Sequence, residues 1–379
     1  MPVVMPRGLK NIYRLGVKEL NSLRRDPVLI FLILFTFTFA IYIIATGVKT
    51  EVRNASIAIV DEDGSALSRQ IRAAFLPPYF KQPELLSVDR IDQAMDTGRF
   101  VFVIDIPPNF QADVLAARRP VIQVNIDATA MTLAGNGAVY IRNIVNQELA
   151  SFVHRGAPDT TGLAVLTMRT LFNPNLDSSW FMSVMQLVSN VVMLSLILSG
   201  AAVIRERERG TIEHLLVMPV TPAEIMIAKI WANGLAILLA VIMSLYVVVQ
   251  GVLGVTINGS VLLFVLGTAL FLYAMTSLGI LLSTFAHSMP QFGLLAIPFF
   301  IIMNMLSGGT SPLDGMPVLL QYLMQLAPST HYTSFAQAVI YRGAGMGVVW
   351  PLLIKISIIG TVLFIIALLR FRSTMSSAR

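Results

Sequence analysis

The chain has no cysteine and few charged residues. Only 13% of its 379 residues are Asp, Glu, Lys or Arg, whereas a soluble domain carries about 25%. Without cysteine the chain can form no disulfide, no catalytic thiolate and no Cys-ligated zinc site. Residues 230–313 contain no charged residue at all, and the mean hydropathy is +0.74. These absences exclude a wholly soluble protein and indicate membrane-spanning helices.

Sequence motifs for catalysis are also missing. The pattern GxxxxGK[ST] does not occur, since none of the six lysines follows a glycine, so the chain cannot bind nucleotide phosphates through a P-loop. There is no HExxH motif, and the four histidines are scattered: His154, His214, His287 and His331. We therefore expect no enzyme activity and no catalytic, cofactor-binding or metal-binding residues. If the chain moves a solute, a partner must supply the energy.

The positive charge of the chain is unevenly distributed. The formal net charge is +6, but residues 48–178 hold 12 Lys and Arg against 14 Asp and Glu, a net charge of −2. The apolar remainder therefore carries +8. A basic membrane part indicates contact with the phosphate headgroups of the lipid bilayer and a defined topology, and it argues against nucleic-acid binding.

The N-terminal part predicts an interfacial helix followed by a membrane span. Apolar residues recur at helical spacing over residues 7–25. Cations form a stripe between them: Lys10, Arg14 and Lys18. Such a helix lies in the membrane interface, although a soluble surface helix is the alternative. Residues 28–47 are an uncharged run long enough to cross a bilayer. A cleaved signal peptide would have a shorter apolar core.

Residues 48–178 have the pattern of a soluble α/β domain. Alternating or β-branched runs predict strands at 56–60, 100–106 and 121–126. Helical patterns occupy 67–75, 91–95, 110–118 and 131–154. Asn109 is well placed to cap the third of these helices. Asp61, Glu62 and Asp63 follow the first strand and favour helix capping or solvation. A metal site is the alternative, but no third ligand cluster supports it.

Five further apolar segments predict the remaining membrane spans. They are 180–204, 227–250, 261–285, 292–306 and 350–369. Gln186 and Asn190 lie on one face of the second span, and Asn304 lies in the fifth. Such amides either form hydrogen bonds to a neighbouring helix or line a translocation path or dimer seam. Between the last two spans, the helical patterns at 316–326 and 333–340 are too short to cross and indicate interfacial or re-entrant helices.

The sequence thus predicts an α-helical polytopic membrane protein with six transmembrane helices and one inserted extracytoplasmic α/β domain. Its N-terminal half is expected to contain a cytoplasmic interfacial helix at 1–26, transmembrane helix 1 at 27–47 and a periplasmic α/β domain at 48–178. Transmembrane helices 2–6 are expected within 179–372, and this region includes an external re-entrant segment at 307–345. A cytoplasmic tail is expected at 373–379. Lys and Arg concentrate at both termini and in the loop 205–229. The positive-inside rule therefore places these parts in the cytoplasm.

The loop 205–229 is the charge-dense segment of the C-terminal half. Charges of alternating sign fill 205–209, and Gly210 allows a break. Apolar residues on one face of 211–218 predict a short surface helix that ends at Pro219. Thr221, Pro222 and Glu224 then match a capping box, which predicts that the next helix begins there.

This loop and its surroundings resemble those of ABC-2 type transporter permeases. The pattern RERExGTxExLLVxPxTxxEIxxAK covers 205–229, and one span, a large external domain and five spans surround it. Three further stretches look like those of one subgroup, the Gram-negative inner-membrane multidrug and efflux permeases with a large periplasmic domain. These stretches are GRFVFVIDIPPNFQADV at 98–114, IQVNIDAT at 122–129 and LFNPNLDSSW at 171–180. The resemblance covers essentially the whole chain.

The resemblance implies half of a multi-pass inner-membrane exporter for drug-like or lipid-like substrates. Such permeases form homodimers or pair with a similar permease, and a cytoplasmic P-loop ABC ATPase supplies ATP hydrolysis. A periplasmic membrane-fusion adaptor is a frequent partner. The helix 211–218 would be the coupling helix. The residues that the resemblance assigns to ATPase coupling are Arg205, Glu206, Arg207, Glu208, Gly210, Thr211, Glu213, Leu215, Leu216, Pro219, Thr221, Glu224 and Lys229.

Three other classes remain open. A non-transporting mechanotransmission subunit would act through its periplasmic domain, although four spans are usual in that class. An ion-driven secondary transporter would place ionisable groups at membrane depth. Only Lys355 is a candidate for that role, and its place near a helix end favours snorkelling to the interface. A receptor or scaffold without transport is the third class.

Overall fold

The computed structural model describes residues 7–47, 54–97, 99–127, 131–154, 178–210, 219–309, 313 and 316–376. The chain divides into two compact units. One consists of Met1–Val48 and Ser179–Arg379, and the other of Lys49–Ser178. The described part of the first unit is built from helices, whereas the second unit contains a small sheet.

Three helices form the N-terminal part of the first unit. They are α1 (Arg7–Arg24), α2 (Pro27–Phe37) and α3 (Phe39–Gly47). Asp26 caps α2, because its Oδ1 accepts hydrogen bonds from the backbone N–H groups of Val28 and Leu29, both at 3.2 Å. The backbone leaves the helical region at Thr38 (φ −122°, ψ −79°). The predicted first span corresponds to a 21-residue apolar segment that is long enough to cross a membrane, but it consists of two helices.

The second unit is a four-stranded sheet with helices on both faces. Its strands are β1 (Ile57–Asp61), β2 (Glu84–Leu85), β3 (Phe102–Ile106) and β4 (Gln123–Ile126). Its helices are α4 (Ala66–Ala74), α5 (Ile91–Asp96), α6 (Phe110–Leu115) and α7 (Met131–His154). The strand order is β2-β1-β3-β4. β1 is parallel to β2 and β3, and β4 is antiparallel to β3.

Side chains of the central strand β1 alternate between two apolar clusters. Ile57 and Ile59 pack with residues of α4, α6 and α7, whereas Ala58 and Val60 pack with residues of α5. Because both faces of the strand are covered, its first four residues are all apolar and buried. The three predicted strands are confirmed. The short strand β2 was not predicted, since two residues carry no periodicity.

An acidic turn after β1 organises one end of the sheet. Asp61 Oδ2 accepts a hydrogen bond from Ser68 Oγ at 2.9 Å, and Asp63 Oδ2 accepts one from the Gln111 N–H at 3.1 Å. The prediction that Asn109 caps α6 is wrong. Asn109 is left-handed (φ +63°), and its side chain makes no capping bond, so the distant Asp63 takes that role. Among the described residues, no group of three His, Cys, Asp or Glu side chains could hold a metal ion.

The rest of the first unit follows in seven helices along the described chain. They are α8 (Ser178–Glu208), α9 (Pro222–Ser244), α10 (Val261–Ser283), α11 (Met289–Met305), α12 (Val318–Met324), α13 (Pro328–Ala336) and α14 (Met346–Ser376). α9 continues as a π-helix over Leu245–Val252, and α13 continues as one over Gln337–Tyr341.

Five helical segments of the described chain are long and apolar enough to cross a membrane. They are Pro27–Gly47, Ser178–Glu208, Pro222–Val252, Val261–Ser283 and Met346–Ser373. α11, predicted as the fifth of six spans, is apolar but has 17 residues. A helix of that length is about 25 Å long, which is less than the roughly 30 Å of a hydrocarbon core.

α13 lies buried within the first unit. The Tyr332 ring stacks on Phe271 of α10 with a centroid distance of 4.0 Å, and the Tyr332 hydroxyl is 2.9 Å from Thr268 Oγ1. Pro328 occupies the first helical position, where its missing N–H costs nothing. The helix therefore begins before residue 333, where the sequence pattern placed its start.

Candidate functional site

α1 packs along α9, and a glycine allows the close approach. A Cβ atom at Gly16 would lie 2.0 Å from the Trp231 ring, so a side chain there would collide with it. Trp231 Nε1 donates a hydrogen bond to the Ile12 carbonyl at 3.3 Å. Its ring also stacks with Tyr13, with centroids 6.3 Å apart and an interplanar angle of 5°. Trp231 therefore fixes α1 against the first half of α9.

We expect Gly16→Ala to lower the free energy of unfolding by about 1–3 kcal/mol, because the added methyl group would overlap the Trp231 ring. Gly293→Ala is the matched control, since a Cβ atom at that helical glycine meets nothing within 4 Å. Thermal unfolding of both variants in detergent measures the difference. Equal unfolding midpoints would show that α1 does not pack closely on Trp231.

A buried ion cluster joins three helices at Lys229. Lys229 Nζ is 2.6 Å from Glu19 Oε1 of α1 and 2.8 Å from Glu206 Oε2 of α8. The Lys229 side chain is 1% exposed, and the two carboxylate side chains are 15% and 16% exposed. A buried ammonium group needs such partners to offset its lost hydration. Together, Glu19, Glu206 and Lys229 form the Lys229 cluster, which connects α1, α8 and α9.

The start of α9 is capped by its own residues and is also bound to α1. The Glu224 N–H donates to Thr221 Oγ1 at 3.3 Å, and the Thr221 N–H donates to Glu224 Oε2 at 2.8 Å. These two bonds confirm the predicted capping box. Asn11 Nδ2 of α1 donates to the Pro219 carbonyl and to Glu224 Oε2, both at 3.4 Å. α1 therefore contacts the residues that lead into α9.

The C-terminal end of α8 is bound to the turn between α10 and α11. Arg207 Nη1 donates a hydrogen bond to the Ala286 carbonyl. The Met289 N–H, in the first turn of α11, donates to Glu208 Oε1 at 2.9 Å, and a carboxylate at that helix end is favourable. The chain then turns at Gly210, whose φ of +66° matches the predicted break. Both flanks of residues 211–218 are thus attached to neighbouring helices.

Comparison with known proteins decides the family. A family model described as "ABC-2 family transporter protein" matches residues 28–369. The chain belongs to the ABC-2 transporter family. It is 51% identical to "Inner membrane transport permease YhhJ" of Escherichia coli (strain K12), over 98% of this chain and 99% of that protein. It is 28% identical to "Probable multidrug ABC transporter permease YbhR" of the same strain, over 89% and 92% of the two chains. The predicted resemblance is therefore confirmed.

The described residues of this ABC-2 protein include only part of the predicted coupling set. Glu206 and Lys229 meet in the Lys229 cluster, and Arg207 and Glu208 bind the α10–α11 turn. Four residues of the set lie outside the described residues: Thr211, Glu213, Leu215 and Leu216. The coupling helix at 211–218 therefore stays a prediction.

The three amides predicted for a path or seam do not form one group. Gln186 Nε2 donates to Asn190 Oδ1 at 2.7 Å, and Asn190 Nδ2 donates to the Thr36 carbonyl at 2.6 Å. Thr36 lies in the last turn of α2, where carbonyl groups lack intrahelical partners. Asn190 therefore binds α8 to α2. Asn304 is half-buried near the end of α11, and no described hydrogen bond joins its side chain to this pair.

We expect Asn190→Leu to lower the free energy of unfolding by about 1–2 kcal/mol, because the Thr36 carbonyl loses a hydrogen bond between helices. Ser195→Ala is the control on the same helix, since Ser195 Oγ donates only to carbonyls of its own helix. Thermal unfolding compares the two variants. A stable Asn190→Leu variant that has lost transport would instead favour the translocation-path interpretation.

Sequence reasoning missed the contribution of α1 to this site. Asn11, Gly16 and Glu19 lie on the face of α1 that meets α9, but they were predicted only as part of an interfacial helix. Glu19 is the acidic residue among the cations of that helix. This single negative charge was the one feature of the sequence that could have indicated a contact with a distant cation. Nothing local to Glu19 identifies Lys229 as its partner.

Proposed function

We propose that the chain is the membrane subunit of an ATP-driven ABC-2 exporter, and that a separate cytoplasmic P-loop ATPase drives it through residues 211–218. The Lys229 cluster is the observation that carries this proposal. Because the cluster joins α1, α8 and α9, a force applied between α8 and α9 would move the three helices together. ATP would be bound by the partner, since this sequence has no P-loop.

The proposed location and cargo follow from the relatives and the apolar helices. One relative is named an inner membrane transport permease, and two are named probable multidrug ABC transporter permeases. We propose that this chain also lies in the inner membrane and exports a hydrophobic or amphiphilic substrate, either drug-like or lipid-like. The uncharged stretch 230–313 suits such cargo, because the chain offers little to bind a charged solute there.

The proposed topology has six crossings, with both termini in the cytoplasm. In addition to the five long segments, α11 would make the sixth crossing, at the predicted span 292–306. Lys and Arg at the termini and in 205–229 support this orientation. The unit Lys49–Ser178 would then be the periplasmic domain, and 307–345 would be an external re-entrant segment.

We propose that the permease works as a homodimer or with a similar permease, and that its periplasmic domain contacts a membrane-fusion adaptor. Asn304 remains a candidate for the dimer seam or the translocation path, since no described hydrogen bond occupies its side chain. Gln186 and Asn190 are weaker candidates, because their amides already bind each other and α2.

Purification from the native membrane tests the central proposal. We expect a P-loop ATPase to co-purify with the full-length chain in mild detergent, and we expect its ATP hydrolysis to rise with substrate. Absence of any such ATPase would overturn the proposal.

Vesicles that contain the complex, tested with cationic dyes and lipids, would identify the substrate class. Coupled hydrolysis without transport of any cargo would favour mechanotransmission, and transport without ATP would favour an ion-driven carrier.

A further inference from the structure

A basic cleft lies between α1, the start of α2 and the end of α8. Its volume is about 760 Å³. Four cations line it: Arg14, Lys18, Arg25 and Arg209. The first three recur on α1 and just after it at spacings that share one helix face, and Arg209 comes from the end of α8. Two distant segments of the chain therefore place positive charge around one space.

The four cations of this cleft outnumber the one carboxylate among the described residues that line it. No described ion pair includes any of the four, and all four side chains are exposed. The one carboxylate in the cleft, Asp26, accepts hydrogen bonds from two N–H groups of α2. Like charges at such a concave surface repel one another unless an anion lies between them.

A neighbouring cleft shows the opposite arrangement. It shares Lys18 and Arg209 with the basic cleft, but Glu19 and Glu206 also line it. Those carboxylates bind Lys229, so positive and negative side chains face the same space. The excess of positive charge therefore lies on the side of α1 that faces the start of the first span, where Arg14 and Arg25 line the basic cleft.

The position of the basic cleft indicates a membrane lipid as the source of the anion. Pro27 lines the cleft, and Phe31 and Phe35 continue the same face of α2 at helical spacing. Both rings are exposed, at 68% and 42%, and they stack on each other at 5.9 Å. An acyl chain could follow these rings while its headgroup lies among the cations. Arginine side chains suit this role, because they bind phosphate oxygens in a bidentate manner.

We propose that the basic cleft binds the phosphate group of an anionic phospholipid, with Arg14, Lys18, Arg25 and Arg209 as its ligands. This site does not depend on the proposed ATPase. A lipid bound there would contact α1 and α8 beside the Lys229 cluster, so the lipid composition of the membrane would affect the stability of the coupling region.

Native mass spectrometry of the full-length protein in nonionic detergent tests this proposal. We expect phosphatidylglycerol to bind more tightly than phosphatidylcholine, and we expect R14Q/R25Q/R209Q to weaken phosphatidylglycerol binding roughly a hundredfold. The control R7Q/K10Q/R372Q also removes three positive charges from exposed helical positions of the same unit. It should retain wild-type affinity, since none of its three residues lines the cleft. The single variant R25Q should weaken binding severalfold and serves if the triple variant does not fold.

Several outcomes would overturn the assignment. Equal weakening in the triple variant and its control would show that binding follows net charge alone. Inorganic phosphate is titrated in a separate arm without lipid. Phosphate binding at these residues, with no preference for phosphatidylglycerol, would make a free phosphate the ligand and overturn the lipid assignment. Wild-type lipid binding by R14Q/R25Q/R209Q, together with loss of a co-purifying ATPase, would assign the cleft to a protein partner.

Discussion

Replacing Lys229 with methionine is expected to lower the free energy of unfolding by about 3–5 kcal/mol. Lys229 is 1% exposed and bound by two carboxylates, so its removal leaves Glu19 and Glu206 close together without the ammonium group that binds both. Removing one partner of a buried ion pair costs more than the pair contributes, because the remaining charge keeps its desolvation penalty. Thermal unfolding in detergent, followed by tryptophan fluorescence, measures the loss.

Two further variants separate this cause from a general effect of losing a lysine. Lys355→Met removes an exposed lysine from α14 and should leave the unfolding midpoint unchanged. The triple variant E19Q/E206Q/K229M removes all three charges of the Lys229 cluster and should recover most of the lost stability. If Lys229→Met were as stable as Lys355→Met, the cluster would not hold α1, α8 and α9 together. In that case the proposed transmission of force through it would also fail.

Replacing Leu215 and Leu216 with aspartate is expected to abolish transport-coupled ATP hydrolysis while the protein still inserts into the membrane. In the proposed complex these leucines fill an apolar groove of the ATPase. Burying each leucine contributes about 1.5–3 kcal/mol, and burying a carboxylate in its place adds a large penalty. Co-purification of the ATPase and substrate-stimulated hydrolysis are the two measurements.

The matched control makes the same chemical change away from the loop. Leu76 and Leu85 lie in the unit Lys49–Ser178 and are 61% and 62% exposed. The variant L76D/L85D should therefore keep ATPase binding and coupled hydrolysis. Normal coupled hydrolysis in L215D/L216D would refute the role assigned to 211–218. Loss of hydrolysis in both variants would indicate a general defect and would also count against that role.

Local sequence signals predicted the parts of this fold that depend on neighbouring residues. The capping box of α9 was predicted from Thr221 and Glu224, and both of its hydrogen bonds are present. The break at Gly210 was predicted in the same way. These features involve residues a few positions apart, so their geometry follows from the backbone alone. Apolar runs of span length are similarly local, and five of the predicted spans match long apolar helices.

Predictions failed or were incomplete where a distant residue decides the local structure. Asn109 has the side chain of a helix cap, but Asp63 reaches the first turn of α6 and takes that role. α11 covers nearly all of the predicted fifth span at 292–306, but its 17 residues leave the crossing itself a prediction. The glycine-rich stretch that begins at Ser307 predicted the end of this helix. The sequence pattern could not show whether the residues beside the helix complete a membrane crossing.

The sequence by itself determined the class of this protein: a membrane protein without a P-loop, with a capped helix start at Thr221 and the loop pattern of ABC-2 permeases. These properties depend on composition and on short spacings. Only the tertiary structure decided that Lys229 is buried between Glu19 and Glu206, and that Trp231 packs on Gly16. Lys229 and Glu19 are 210 positions apart. An ion pair over that separation forms only when packing of α1 on α9 brings the two charges together and excludes water from them.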